Sequence, residues 1–298
     1  MSFTTDIKTE LCRVTPAAPC CMLAECLGML LFSYQANREG IRLQSESVDV
    51  RKRAWSLFRQ VFGVTAESEE NGVLIRDPDD LARIYSAFGY DNLYGPLQLN
   101  RASVEDECCK NAFLRGAFLT GGSISTPDKG YHLELVTSHY YVARQTEALL
   151  MDMDRTPSCL MRRGYHVLYY KDSEKIGDFL SAMGATNASM ELMLMKVERE
   201  MRNNINRISN CEVANQGKTI NAGIKQKMAI QKLKDQGRYD DLPKALKETA
   251  ELRLQYPDLS LGELCKLFQP PISKPGLSHR LKKIMELGSQ LLDKKEKI

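Results

Sequence analysis

The sequence predicts an α+β protein in which two pseudo-symmetric lobes, each ordered α-β-β-α-β-β-α, precede an all-α helix-turn-helix domain. Three observations carry this. A segment opening at Cys20 returns 88 residues later, with identical pairs at Cys20/Cys108, Cys21/Cys109, Ala24/Ala112 and Gly28/Gly116. The patterns downstream of each copy follow the same order. Near the C-terminus, a capped short helix, a Pro-Pro stop and a basic amphipathic helix follow one another.

Each copy opens with an apolar helix, Cys20 through Phe32 and Cys108 through Leu119. A period near 90 residues is too long for a solenoid, so two related lobes are expected. Equivalent glycines, Gly28 and Gly116, fit helices whose backbones approach closely. Gly40 leads a strand at Ile41 to Leu43, and Gly130 leads one at Tyr131 to Val136, which alternates as YHLELV. Amphipathic helices follow, with core faces Val50, Ala54, Leu57, Phe58, Val61 and Tyr141, Gln145, Ala148, Leu149. Strands then fall at Gly72 to Arg76 and Tyr165 to Tyr170. Asp77-Pro78 caps and starts the last helix of the first lobe; that of the second runs from Ser173 to a stop at Gly184. The other strand of each hairpin is weakly marked.

The expected organisation is an N-terminal segment, 1-19; a two-lobe domain, 20-186, with repeats 20-90 and 108-184; a helical connector, 187-239; and a helix-turn-helix domain, 240-298. In the connector, Met190, Leu194, Val197, Met201, Ile205 and Ile208 recur at fours and threes, as ordinary core or as a seam between domains or subunits. Asn-rich NCEVANQGKT is expected to break the helix at Gly217, with a second helix running through Ile220, Ile224 and Met228 to Gly237. Arg199, Arg202 and Arg207 lie on other faces. This Asn/Arg-rich stretch suits either a DNA backbone or hydrogen bonds to a buried loop.

In the last domain, a helix over Asp241 to Tyr256 presents Leu242, Ala245, Leu246, Thr249, Leu252 and Tyr256, with Pro243 near its start. Ser260 and Glu263 form a capping box, and Leu261, Leu264, Cys265 and Phe268 share the next helix's inner face. Gln269-Pro270-Pro271 ends it. Ser273 caps a final helix with an apolar stripe of Leu277, Leu281 and Ile284. Lys274, Ser278, His279, Lys282 and Lys283 lie outward and Arg280 on the flank. This is the pattern of a helix entering a DNA major groove. Lys274, Ser278 and His279 are expected near bases or adjacent phosphates, and Arg280, Lys282 and Lys283 on the backbone. Two short helices and a turn also occur in domains that bind no DNA. The charge favours a polyanion: the chain carries net +3, but residues from 187 onward hold 21 Lys and Arg against 14 Asp and Glu.

Other chemistries find no pattern. No apolar run approaches the ~20 residues of a membrane span, and the N-terminus shows no secretory signal. The nine cysteines contain no C-x-x-C and no histidine at zinc-ligand spacing, so reduced, mostly buried thiols and no metal are expected. His132, His139, His166 and His279 are scattered. Asp77, Asp79 and Asp80 surround a helix start, and Asp152 and Asp154 lack companion ligands. No phosphate loop, nucleophile-base pair or cofactor motif appears.

The run Phe113-Leu114-Arg115-Gly116-Ala117-Phe118-Leu119-Thr120-Gly121-Gly122-Ser123-Ile124 resembles the signature helix of LAGLIDADG homing endonucleases, whose halves fold as αββαββα. In that family the helix ends in D-x-D-G-S, and the second Asp holds the catalytic metal. The matching positions here are Leu119 and Gly121, with Ser33 equivalent to Gly121 in the first copy. The resemblance implies the fold, while the metal carboxylates are missing. A degenerate LAGLIDADG region followed by a helix-turn-helix resembles the WhiA family. So do SFTTDIKTEL near the start, Arg202-Asn203-Asn204-Ile205-Asn206-Arg207, Asn210-Cys211-Glu212-Val213-Ala214-Asn215 and Lys218-Thr219. The resemblance implies a non-enzymatic, cytoplasmic, nucleoid-associated regulator of transcription tied to cell division, chromosome segregation or sporulation. Its implied partners are double-stranded DNA and, in organisms that have one, a WhiB-type iron–sulfur regulator. The competing readings are an active homing endonuclease and a scaffold whose helix-turn-helix binds protein.

Overall fold

Both repeats fold in the expected order. The computed structural model describes residues 2–65, 67–69, 71–90, 95–125 and 130–289; the last nine residues of the 240-298 segment lie outside the described residues. The chain forms two compact units, Met1–Glu200 and Met201–Ile298. In the first, α1 (Phe3–Leu11) precedes α2 (Pro19–Leu31), β1 (Gln35–Asn37), β2 (Gly40–Gln44), α3 (Val48–Phe62), β3 (Glu67–Glu69), β4 (Gly72–Ile75) and α4 (Pro78–Ala87). The second half runs α5 (Glu107–Gly121), β5 (Gly122–Ile124), β6 (Leu133–Thr137), α6 (Tyr140–Asp152), β7 (Ser158–Arg162), β8 (Tyr165–Tyr170) and α7 (Ser173–Met183). Each half makes its own antiparallel four-stranded sheet, ordered β1-β2-β4-β3 and β5-β6-β8-β7. The strands legible from hydropathy, β2, β4, β6 and β8, are the central ones; the weakly marked strands are the edges. β7 is exposed along its whole length, so no core pattern could mark it.

α2 and α5 pack against one another through the paired glycines. A Cβ on Gly28 would stand 2.1 Å from the Phe113 carbonyl oxygen, and one on Gly116 would stand 2.0 Å from that of Glu25. Only glycine fits either position. Beside the crossing, the fully buried Glu25 accepts Nε of Arg115 at 2.9 Å, and Nε and Nη2 of Arg53 at 2.9 and 3.0 Å. Arg115 also donates to the Met183 carbonyl at 2.9 Å. A carboxylate shared by two guanidiniums thus joins α2, α3, α5 and the end of α7. Such a charge is tolerated in a core only while paired. The apolar faces of both lobes merge into one core around this junction.

Two expectations change. The inner face of α6 is Val142, Ala143, Thr146, Leu149 and Leu150, while Tyr141 is exposed: the true stripe lies one position further along. Gln145 instead accepts the Leu99 amide at 2.6 Å. The cysteines are free, but only Cys21, Cys26, Cys109 and Cys265 are buried, because several sit at helix starts or on an exposed strand.

The connector is a single helix, α8 (Thr186–Asp235), whose first amides, of Asn187 and Ala188, are bound by Glu10. The expected break at Gly217 does not occur. A Cβ there would meet nothing within 4 Å, so its glycine costs only helix propensity, about 1 kcal/mol. The Met190 to Ile208 stripe is not core: all six side chains are exposed.

Two substitutions check the packing. Gly28→Ala or Gly116→Ala should destabilise the first unit by about 3 kcal/mol or more, because the obstacle is backbone. Urea unfolding followed through Trp55, the sole tryptophan, reads this directly. Gly217→Ala should do the opposite, raising the stability of α8 by up to about 1 kcal/mol on thermal denaturation followed by circular dichroism. A loss there would reinstate the break.

Candidate nucleic-acid interface

The second unit builds its core from four helical pieces. They are the end of α8, α9 (Lys244–Gln255), α10 (Leu261–Leu264) with a 3-10 turn (Cys265–Leu267), and α11 (Lys274–Ser289). Ile230 and Leu233 of α8 meet Leu242, Leu246, Ala250, Leu264, Phe268, Leu277, Leu281 and Ile284. α10 starts with the expected capping box. The Ser260 hydroxyl accepts the Glu263 amide at 3.3 Å, and the Glu263 carboxylate accepts the Ser260 amide at 2.9 Å. Those hydrogen bonds hold the Glu263 carboxyl below the usual carboxylate range.

α9 departs from expectation. Pro243 is its N-cap, Ala245 and Tyr256 are exposed, and the buried face continues through Leu246, Thr249 and Ala250 to Arg253. Arg253 is only 2 % exposed. Its Nη1 donates to the Leu259 carbonyl at 2.8 Å and to those of Tyr256 and Pro257 at 3.3 Å. Burial pushes this guanidinium's pKa down. One arginine therefore gathers the loop that leads into α10. The sequence held a signal for it, an arginine where the apolar stripe of α9 required a further member.

α11 carries the predicted surface. The Ser273 hydroxyl accepts the Gly276 amide at 3.2 Å, and its carbonyl accepts the Leu277 amide at 2.9 Å. Leu277, Leu281 and Ile284 are buried. Lys274, Ser278, His279, Lys282 and Lys283 are exposed. Fours in sequence place Lys274, Ser278 and Lys282 in one row and His279 and Lys283 in the next. Arg280 lies on the flank, with its guanidinium 5.7 Å above the Phe268 ring and a 3.5 Å contact to the Ala245 carbonyl, so part of its capacity is used within the fold. Lys282 approaches Glu286 at 3.9 Å. Ser260 and Ser273 are engaged in capping.

In the first unit, Ser33 and Gly121 share a cleft of about 400 Å³ with Thr120, Thr137, Glu46 and Tyr165. α2 and α5 thus end side by side. Neither position carries a metal carboxylate, and Gly121 has no room for one. A Cβ on Gly121 would stand 2.5 Å from the Val136 carbonyl oxygen and 3.0 Å from the Phe32 side chain. The Ser33 hydroxyl donates to the Leu30 carbonyl at 2.7 Å and the Gln35 carbonyl at 3.1 Å. The Thr137 hydroxyl donates to the Leu31 carbonyl at 3.1 Å. Glu46 is the one carboxylate along this cleft among the described residues, too few oxygens for two-metal hydrolysis.

Several of the other titratable residues have local partners. His132 Nε2 lies 2.6 Å from Glu134. Arg162 donates to the same carboxylate at 2.6 and 3.0 Å and is the main reason its pKa is lowered. Asp152 pairs with Arg101 at 2.6 Å. Burial lowers the pKa of His139. Asp77 caps α4 through the amides of Asp79 and Asp80.

Two outcomes follow from these contacts. Gly121→Asp, alone or with Ser33→Asp, should lower the melting temperature and restore no magnesium-dependent stabilisation; a rise in melting temperature on adding magnesium would show a working site. Arg253→Met should destabilise the second unit by about 2 kcal/mol, since three loop carbonyls lose their donor. An unchanged thermal transition would remove Arg253 from its assigned place.

Comparison with known proteins agrees with this architecture. A family model described as the WhiA LAGLIDADG-like domain matches residues 110–202, and one described as the WhiA C-terminal HTH domain matches residues 205–288. A "Probable cell division protein WhiA" of Ruminiclostridium cellulolyticum is 37% identical over 98% of this chain and 98% of its own. Another, from Thermoanaerobacter pseudethanolicus, is 35% identical over 99% of both. Full-length DUF199/WhiA from "Thermatoga maritima" shares the fold, with a TM-score of 0.59 at 24% identity over 97% of this chain and 99% of that one. Two matching domain models in sequence, and relatives of this identity along the whole chain, establish that the protein belongs to the WhiA family.

Proposed function

We propose that this protein is a sequence-specific DNA-binding regulator of transcription, without nuclease activity, acting in cell division, chromosome segregation or sporulation. The observation that carries the reading is α11: a capped helix with a buried Leu277-Leu281-Ile284 stripe turns Lys274, Ser278, His279, Lys282 and Lys283 to solvent. A helix of this kind fits the major groove, and its lysines favour phosphates. The names of the relatives support the cell-division assignment. The closed position at Gly121 and the serine, in place of a carboxylate, at Ser33 support the loss of cleavage. The proposed partner is double-stranded DNA, joined by a WhiB-type regulator where the organism has one. The proposed location is the cytoplasm, at the nucleoid; among the described residues no helix is long and apolar enough to cross a membrane.

The test is a titration of specific and random duplexes at several salt concentrations. Lys282→Ala and Lys283→Ala should each weaken all sequences alike and lower the salt slope by about one. Ser278→Ala and His279→Ala should change the preference among sequences, by about 1–3 kcal/mol for a lost base contact. Leu281→Ala should act through folding. If both lysine variants stay folded with affinity and slope unchanged, α11 is not the DNA-binding element. Magnesium-dependent cutting of supercoiled DNA, abolished by chelator, would establish the endonuclease instead. Failure to retard any duplex at low salt would favour a protein-binding scaffold.

A further inference from the structure

The repeat brings together four cysteines that lie 88 residues apart as two pairs. α2 and α5 each carry a Cys-Cys pair in the first turn, Cys20-Cys21 and Cys108-Cys109. The helices run side by side, with their C-terminal ends sharing the Ser33/Gly121 cleft and their first turns meeting at the other end. There the four Sγ atoms lie within 4.8 Å of one another, and Cys108 and Cys109 are 4.0 Å apart. Cys21 and Cys109 are buried; Cys20 and Cys108 are exposed. Among the described residues, this is the one place where three or more His, Cys, Asp or Glu side chains gather closely enough to hold an ion.

We propose that Cys20, Cys21, Cys108 and Cys109 form a tetrahedral, four-thiolate site for a single Zn²⁺ ion. Zinc–sulfur bonds of about 2.3 Å set sulfur–sulfur edges of roughly 3.8 Å in a tetrahedron. The Cys108–Cys109 edge is already near that value, and rotation of the two exposed side chains brings in the rest. Edges this short enclose one ion; a cluster of several irons would force the sulfurs apart. The backbone favours thiolates, since all four sit in the first turns of two helices whose unpaired amides and dipoles point the same way. Without a cation, burial and the neighbouring sulfurs raise the pKa of the Cys21 and Cys109 thiols. Binding therefore releases the thiol protons to solvent, and acid weakens the site. Four protein ligands leave no position for water or substrate, so the ion is structural. It would fasten the two halves at the end of the α2–α5 pair opposite the cleft. The site stands independently of DNA binding.

The experiment uses the full chain, stripped with chelator and kept reduced. Cobalt(II) serves as the spectroscopic probe and zinc as the competitor. One equivalent of cobalt should produce thiolate-to-metal absorption and the visible bands of tetrahedral coordination, and zinc should erase both. Elemental analysis should then find one zinc per chain, and zinc should raise the melting temperature of the first unit. Cys20→Ser with Cys108→Ser changes only exposed sulfurs, so the chain should fold, with cobalt affinity reduced at least tenfold. Cys159→Ser with Cys211→Ser, at exposed thiols elsewhere, should leave the spectrum intact. A folded, reduced wild type without the cobalt spectrum, or a Cys20/Cys108 variant that keeps it, overturns the proposal. So does an intact mass lighter by two or four hydrogens in a reduced preparation that takes up no zinc, which would make the cluster a disulfide site.

Discussion

The structure of the first unit depends on how closely α2 and α5 approach. Two backbones cannot come within reach of each other's carbonyl oxygens if a side chain stands between them, and Gly28 and Gly116 remove it on both sides. Everything nearby inherits that spacing. Glu25 can be shared by Arg53 and Arg115 only because the two helices are this near. The four cysteine sulfurs meet at one end of the pair and the Ser33/Gly121 cleft forms at the other. The internal repeat is therefore a physical requirement as well as a trace of duplication. Each half supplies the glycine that the other half's helix needs.

That same closeness accounts for the state of the cleft. In the LAGLIDADG fold the two helix ends are where metal carboxylates would stand. Here the end of α5 is a glycine pressed against Val136, and the end of α2 is a serine folded back on Leu30 and Gln35. The polar groups there satisfy the backbone at the helix ends. The second unit is organised differently, around a buried arginine. Arg253 holds three carbonyls of the loop before α10, which sets where the capping box of Ser260 begins and hence the base on which α11 packs.

Much of this was legible in the sequence because the signals were local or periodic. The Asp77 and Ser273 caps, the Ser260–Glu263 box, the Gly184 stop and the Leu277-Leu281-Ile284 stripe follow from spacing alone. The paired glycines were legible because the repeat showed them twice. The misreadings share a cause: tertiary context decided them. The edge strand β7 buries nothing and leaves no hydropathy pattern. In α6 Tyr141 gives the wrong phase, because its side chain is exposed. Gly217 and the asparagines around it have the composition of a break, yet a half-buried glycine costs too little to end a long helix. Arg253 reads as a surface residue by type and is a core residue by position. The Cys-Cys pairs lie 88 residues apart and have no metal-ligand spacing along the chain; only the fold brings the four sulfurs together.

In the proposed division of labour, α11 reads DNA and the cleft between the lobes performs no chemistry. Hydrogen exchange of the full chain, with and without a specific duplex and with magnesium present, tests both halves of it at once. The account predicts new protection at the amides of α11, concentrated from Lys274 to Lys283, with the amides around Ser33 and Gly121 unchanged by DNA or magnesium. Protection concentrated at Ser33 and Gly121, dependent on magnesium and absent from α11, would contradict it.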